Sequence, residues 1–439
     1  MNSKFSIENN GKKIFFFAWV DKIRQLGSNL LFILCNISSE KKQQQIIVKK
    51  EKKIKELRKI KRGDLLKIWG EIKIKKDTEK EIEIELIKYK LFNSSKKLPF
   101  GSKENIDEDT RYCYRYLDLR RFKSKEMLLI KNQFCYELRN FLHKRKFIEV
   151  ETPILAQNSV EGSNSFLVLS NFSKRYYTLP QSPQIFKQLL MIGGFNKYYQ
   201  IAKSFRNEGA RSNRQIEFSQ LDLEISFTTI KQIKLIVEKL LKTIFKKIFN
   251  LELKIPFPIL TYHEVIKKYG TDKPNLYQST ISGKELNFLW IVKWPLFKYN
   301  IEKKKYESFR HLFTIPQKKY IKLLLENKIE PEKVIGETFD LIFNGEEILS
   351  GGLRIYQRNL QEKIMEIIGY NNREREKNFG YFLEALEFAA PPHGGIGLGI
   401  DRFLSKVLNT KNLKELIAFP KNIDGTCSLT KTPNFVYFK

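Results

Sequence analysis

At 439 residues with 42% apolar content, the chain is long enough to bury two or three separate cores. Lys and Arg number 80 against 49 Asp and Glu, a net charge of +31 that favours a polyanionic partner such as RNA or an anionic membrane surface. The same excess arises from the mutational bias that crowds a sequence with Lys, Ile, Asn and Phe, and the two origins weigh equally. Cys35, Cys113, Cys135 and Cys427 lie far apart with no CxxC pair, which excludes a zinc or disulfide framework and fits a reducing cytoplasm. No apolar run approaches the roughly 18 residues of a membrane span, and MNSKFSIENNGKK lacks the apolar core of a signal peptide, so a soluble protein is expected.

From Lys4 to about Asn93, short apolar runs at Ile14–Val20, Leu30–Leu34, Ile46–Val48, Leu65–Trp69 and Ile82–Ile87 alternate with polar turns. Five short strands predict a small barrel over residues 1–95, of the OB type that binds oligonucleotides. The basic tract Lys49–Arg62 reads as a solvated helix face joining two strands, with RNA contact as its alternative. A polar stretch, Ser94–Thr110, carries Pro99, Gly101 and a run of acids, and residues 96–124 are expected to act as linker and hinge. Ser124 is placed to cap a helix whose apolar face is Ile130, Phe134, Leu138, Phe141 and Leu142. FIEVETPIL, residues 147–155, reads as a strand ending at Pro153. Tyr198–Ala202 and Leu221–Ile225 read as buried strands flanking a charged loop. Ile230–Leu251 alternates apolar and lysine positions at helical spacing, which suits packing on a sheet better than lying on a membrane surface. In FDLIFNGEEILSGGLRI the Asn344-Gly345 pair marks a hairpin.

The charged loop holds the most chemistry. YQIAKSFRNEGARSNRQIEFSQLDLEISF puts Arg206, Glu208, Arg211, Arg214 and Glu217 around Phe218. An arginine clamps phosphate oxygens, a carboxylate accepts from an adenine amino group, and an aromatic ring stacks on a purine. A solvated hairpin is the plain alternative on spacing alone. The order F-R-x-E, basic loop, E-F resembles motif 2 of class II aminoacyl-tRNA synthetases, and R-x-x-R-Q-x-E-F-x-Q-x-D resembles the aspartyl-tRNA synthetase family within that class. GIGLGIDRF, residues 395–403, preceded by APPHGG, resembles motif 3, FIEVETPIL resembles the dimer-forming motif 1, and WVDKIRQLGSNLLFI, residues 19–33, resembles the first hairpin of the family's anticodon-binding barrel.

The resemblance implies an α+β protein: an amino-terminal OB-fold barrel and, over residues 125–439, a class II catalytic domain with an antiparallel sheet flanked by helices. It implies ATP-dependent activation of L-aspartate to aspartyl-adenylate and transfer to the terminal ribose of tRNA-Asp, in a cytoplasmic homodimer with neither membrane nor DNA as partner. No protein nucleophile is needed; placement and charge neutralisation dominate, so arginines and Mg2+ matter more than acid-base groups. Arg206 and Arg402 are the catalytic candidates, on the α- and γ-phosphates. Glu208, Gln215, Phe218, Glu347 and Gly399 complete the ATP site, and Asp340 with Glu347 would hold the metal, Glu346 being the local rival. For aspartate, Arg354 and Lys187 would bind the β-carboxylate. Glu161, Gln184, Gln220 and Asp222 would surround the ammonium or its neighbours, and His311 and Arg206 would lie beside them. Phe32 and Arg24 would stack and neutralise the anticodon, with Asn29 as an insertion in the turn between them. RYLDLRR, residues 115–121, would sit at the hinge and face tRNA.

Three departures from the family pattern stand out. Arg310-His311 replaces a paired histidine and adds positive charge. Lys293 stands where an acid is usual. YGTDKP, residues 269–274, is followed almost at once by Phe288, so the separate insertion domain of bacterial relatives is reduced to about 275–287. The alternatives are an enzyme that also charges tRNA-Asn, a lysine or asparagine relative, a non-catalytic RNA-binding relative and an asparagine-forming amidating enzyme. Arg354 argues against the lysine relative, retention of Arg206, Glu347 and Arg402 against the non-catalytic one, and the barrel against the amidating enzyme.

Overall fold

The computed structural model describes all residues except 1–4, 38–42, 76–80, 102–105, 158–163, 210–212, 277–279, 282–283, 411 and 435–439. The chain forms two compact units: Met1–Leu129 with Ala418–Asn422 and Thr426–Lys439, and Ile130–Ile417 with Ile423–Gly425.

In the first unit, strands β1 (Lys13–Leu26), β2 (Leu30–Asn36), β3 (Gln44–Val48), β4 (Leu65–Ile74) and β5 (Ile82–Asn93) close into a barrel in the order β1-β2-β3-β5-β4. Alternation builds its core. In β4, Leu66, Ile68 and Ile72 point inward while Lys67, Trp69 and Glu71 point out. Gly70 sits where a side chain cannot: a Cβ there would lie 2.3 Å from Ile84, and the strand passes close to β5 only because it is absent. β1 outlasts its apolar run, because a register shift between Val20 and Lys22 carries the pairing on to Leu26 and a three-residue loop with Gly27 at φ 61° returns the chain as β2. Within the basic tract, α1 (Glu51–Leu57) buries Ile54 and Leu57 in the barrel core and leaves its lysines outside.

In the string at residues 115–121, expected to face tRNA, Arg115 and Asp118 are buried. Asp118 is fully buried and accepts from Arg115 at 2.5 Å, with Arg111 and Arg121 each at 3.3 Å, while Arg115 also donates to the Ala418 carbonyl at 3.0 Å. One carboxylate offers about four lone-pair sites, enough to gather several guanidinium groups, and burial of such a cluster requires that saturation. Tyr116 alone in the string is well exposed, at 50%. Ser124 likewise is no cap: the helix α2 (Phe122–His143) begins before it, and its buried hydroxyl lies 3.5 Å from Arg111.

The second unit is built on an eight-stranded sheet. Its strands are β6 (Ile148–Glu149), β7 (Lys197–Phe205), β8 (Glu217–Ser226), β9 (Ile259–Thr261), β10 (Phe288–Val292), β11 (Thr338–Phe343), β12 (Glu346–Leu353) and β13 (His393–Gly399). The order is β9-β10-β11-β12-β13-β8-β7-β6, antiparallel except at the two outermost pairs. Motif 1 contributes less strand than expected, since pairing to β7 stops after Val150 and Pro153 has no N–H to extend it. Its apolar residues Ile148, Ile154 and Leu155 are half exposed. Helices packed on the sheet include α3 (Gln184–Ile192), α4 (Ile230–Ile244) and α5 (Ile400–Val407), and Phe134 on the later part of α2 meets Phe403 of α5 with ring centres 5.6 Å apart. α4 opens with a Thr229–Gln232 capping box and buries Ile233, Val237, Leu240, Leu241 and Ile244. Its buried Glu238 accepts from Trp290 at 2.9 Å and the Phe257 amide at 3.0 Å, which fixes the helix on the sheet. Among the described residues no helix is long and apolar enough to cross a membrane.

Candidate active site

Two neighbouring strands supply the floor of the site. On β8 the alternate residues Phe218, Gln220, Asp222 and Glu224 share one face. On β13 the residues directly opposite the last three are glycines: Gln220 faces Gly399, Asp222 faces Gly397 and Glu224 faces Gly395. A Cβ at Gly395 would lie 2.0 Å from the Leu223 carbonyl and 2.2 Å from Glu224 Oε2; one at Gly397 would lie 2.6 Å from Gln220 Nε2. Two of these glycines are thus what leaves room for polar side chains to lie flat on the sheet.

Over that floor, cations pair with the acids. Lys187, projecting from α3 and 1% exposed, donates to Asp222 Oδ1 at 2.9 Å and the Ile396 carbonyl at 3.1 Å, and lies 3.3 Å from Glu224 Oε2. Two carboxylates and a carbonyl thereby surround its ammonium. It sits at the floor of the site. Arg354, just past β12, donates through Nε to Glu224 Oε1 at 2.9 Å and through Nη2 to Oε2 at 3.4 Å, so Glu224 leaves the other terminal nitrogen to a ligand. Burial pushes the Glu224 carboxyl up, but Arg354, Lys187 and His393 outweigh it and hold the group below the ordinary range. Gln220 Nε2 donates to Asp222 Oδ2 at 2.7 Å. Loss of water contact, with Arg354 and Lys187 nearby, pushes His311 well below its ordinary value. Its neutral ring accepts at Nδ1 from the Phe313 amide at 3.4 Å, which puts the proton on Nε2.

The other end carries the nucleotide candidates. Arg206 follows β7, its guanidinium carbon 5.2 Å from the centre of the Phe218 ring and its Nε buried without a hydrogen-bond partner. Gln184 Nε2 is also buried without one. Glu208 and Arg214 approach to 3.5 Å, and Gln215 is buried beside them. Gly399 caps α5, and Arg402 in its first turn donates to the Glu347 carbonyl at 3.2 Å. Asp401 anchors that turn, accepting from the Ser219 amide at 3.0 Å and pairing with Lys131 at 2.5 Å.

These groups line one cavity of about 800 Å3, within the roughly 300–1,000 Å3 usual for small-molecule sites. It brings together Gln184, Lys187, Arg206, Glu208, Gln215, Phe218, Gln220, Asp222, His311, Glu347, Arg354, Gly399 and Arg402. Glu161 lies outside the described residues. Arg24 and Phe32 belong to the barrel, where they stand opposite each other on β1 and β2, Arg24 exposed and Phe32 half-buried.

The metal pair is arranged differently from the expectation. The hairpin is as read, with Asn344 and Gly345 at φ 46° and 77°, and a register shift after Leu341 turns Glu347 to the cavity while Glu346 pairs with Lys406 at 3.0 Å. Asp340 is fully buried and does not reach the cavity, because the Arg310 guanidinium lies against it. Among the described residues no cluster of three or more His, Cys, Asp or Glu side chains gathers to hold a metal. Glu224, at the centre of the cationic floor, was missed by the sequence reading. The signal was present: F-S-Q-L-D-L-E continues the alternation of Gln220 and Asp222 by one more step.

Residues 107–423 match the model for tRNA synthetases class II (D, K and N). An aspartate–tRNA(Asp/Asn) ligase of Dictyoglomus turgidum is 33% identical over 570 aligned positions, covering 99% of this chain and 95% of that protein. An aspartate–tRNA ligase of Buchnera aphidicola is 30% identical, covering 98% and 96%. An alignment longer than the chain's 439 residues means that the Dictyoglomus relative carries segments this chain lacks. Among solved structures, asparaginyl-tRNA synthetase from Pyrococcus horikoshii, complexed with asparaginyl-adenylate, shares the fold with a TM-score of 0.76 at 21% identity, over 99% of this chain and 98% of that one.

Proposed function

The chain belongs to the class II tRNA synthetases of the D, K and N group, and we propose that it is an aspartate–tRNA ligase. One observation carries the choice of amino acid. Arg354 is held at the cavity floor by a buried carboxylate, with one terminal nitrogen left over for an acidic side chain. A planar guanidinium suits a carboxylate and is poorly matched by a neutral amide or a lysine ammonium.

The residues divide the work by position. Aspartate lies with its β-carboxylate on Arg354, its ammonium toward Asp222, Gln220 and Gln184, and the neutral His311 donating from the wall. Lys187 holds Asp222 and Glu224 in place. ATP lies along β8 with its base on Phe218, its amino group at Glu208 and its phosphates between Arg206 and Arg402. The aspartate α-carboxylate attacks the α-phosphorus and pyrophosphate leaves; a ribose hydroxyl of the tRNA terminus then attacks the acyl carbon and AMP leaves. Arg206 neutralises charge on the pentacoordinate phosphorus, and Arg402 does so on the departing pyrophosphate. Magnesium accompanies ATP on this reading, but Asp340 beneath Arg310 does not fit a two-carboxylate cradle, and no step is assigned to it. The barrel pair Arg24 and Phe32 takes the anticodon. The half-exposed Ile148, Ile154 and Leu155 at the sheet edge suit a homodimer contact.

ATP–pyrophosphate exchange with aspartate, asparagine and lysine supplied separately tests the assignment: exchange is expected with aspartate, and exchange with only lysine or asparagine would sink it. A second reading, that tRNA-Asn is charged as well, is favoured by the tRNA(Asp/Asn) specificity in the names of the Dictyoglomus and Borreliella burgdorferi relatives. Aminoacylation of purified tRNA-Asp and tRNA-Asn side by side separates the two.

A further inference from the structure

Arg310 occupies a seat built for its plane. Its guanidinium carbon lies 3.4 Å from the centre of the Trp294 ring, and that ring is buried and fixed by a hydrogen bond from its nitrogen to the Ile291 carbonyl at 3.2 Å. The Arg310 carbonyl accepts from the Ser308 hydroxyl at 2.8 Å, which holds the backbone under the side chain. From this seat the guanidinium contacts Asp340 and approaches Glu347 to 3.8 Å. The Asp340 side chain is 1% exposed and that of Arg310 17%, so the pairing is sheltered from water and salt.

The two carboxylates therefore already share a cation. A divalent ion bridging them would need oxygen ligands at about 2.0–2.1 Å in near-octahedral array, and the guanidinium stands in that space. Stacking on Trp294 adds a cation–π attraction, and an arginine keeps its charge at any physiological pH. We infer that the Arg310 guanidinium takes the place of a divalent cation between Asp340 and Glu347, so that this chain takes up one metal ion fewer with its nucleotide than a chain with that cradle open. This rests on the nucleotide reading above and adds to it the chemistry of one cation position.

Mn2+ can be used as the probe, counted by the loss of its free-ion paramagnetic signal in mixtures of the full chain with an ATP analogue whose α–β bridge cannot be cleaved. Arg310→His is expected to bind one Mn2+ per chain more than the parent, and adding Asp340→Asn to that variant is expected to remove the extra ion. Asp340→Asn alone should leave the parent's count unchanged, and it decides the matter even where Arg310→His does not fold. Equal counts in the parent and Arg310→His, or a lower count in Asp340→Asn alone, would overturn the inference and leave the nucleotide reading standing. Failure of the analogue to bind the parent, read by calorimetry, would overturn both.

Discussion

Glu224 has no contact with water, yet it accepts from Arg354 and faces Lys187; replacing it by Gln takes the paired carboxylate from buried Arg354 and leaves Lys187 to Asp222. Breaking such a pair typically costs about 3–5 kcal/mol. Glu224→Gln should therefore lower unfolding stability by about that much in urea titrations and raise the KM for aspartate, and a loss of under about 1 kcal/mol would mean that the cations find other partners. The ionised groups also set the acid limit. Glu224 is held below its ordinary 4.5, so its contribution is complete above that pH and is lost as pH falls through the folded value. His393, buried and pushed below its ordinary 6.5 by loss of water contact, binds its proton more readily in the unfolded chain, as does His311. Their contribution is complete above 6.5 and declines as pH falls below it. Burial pushes the Asp340 carboxyl up to about 7, and its proton uptake in the folded chain opposes the histidines over the same window; the fall in stability below pH 6.5 should therefore be steeper in Asp340→Asn than in the parent, and a flat profile in that variant would refute the neutral histidines. At the other end of the cavity, Arg206→Ala and Arg402→Ala should each remove on the order of 3 kcal/mol of transition-state stabilisation, read as kcat/KM for exchange.

The β8–β13 pair shows how much of the site could be read before the fold was known. The family resemblance marked Gln220 and Asp222, and it marked the glycines of residues 395–399 as part of motif 3, because both strings depend only on neighbours along the chain. What the glycines approach was not legible: it follows from register, Glu224 opposite Gly395 and Asp222 opposite Gly397. The same limit hid the buried side of residues 115–121 and the true start of α2, where Asp118 and Ser124 are engaged by Arg111 across a turn. It also hid Asp340, whose cover comes from a loop distant in sequence. Register makes a graded prediction. Gly395→Ala meets backbone at 2.0 Å, whereas Gly397→Ala meets the movable end of Gln220 at 2.6 Å. The first should cost more than the roughly 1–3 kcal/mol usual for overpacking and the second less, with its effect appearing in aspartate affinity. Equal losses in thermal melts would mean that β13 can shift as a unit.

For the whole molecule, the five barrel runs and the hairpin signals were legible because each is short and locally periodic, and the barrel and the antiparallel sheet appear where those signals fell. The net charge of +31 is a different kind of quantity, since composition alone cannot say whether it serves a polyanion. Binding of tRNA can. Each phosphate neutralised releases counterions and steepens the fall of log K with log salt by about 0.7 to 0.9. If the surplus lysines contact tRNA, the slope should exceed what Arg24 and a few neighbours supply, and charge-removing changes in the exposed lysines of Lys49–Arg62 should each flatten it by close to one phosphate's share. Phe32→Ala removes stacking but no charge. It should weaken tRNA charging at every salt concentration, leave the slope as it was, and leave ATP–pyrophosphate exchange intact, because the cavity proposed for that exchange lies in the other unit. A shallow slope insensitive to those lysines would assign the charge to mutational bias, and impaired exchange in Phe32→Ala would remove the barrel from its anticodon role.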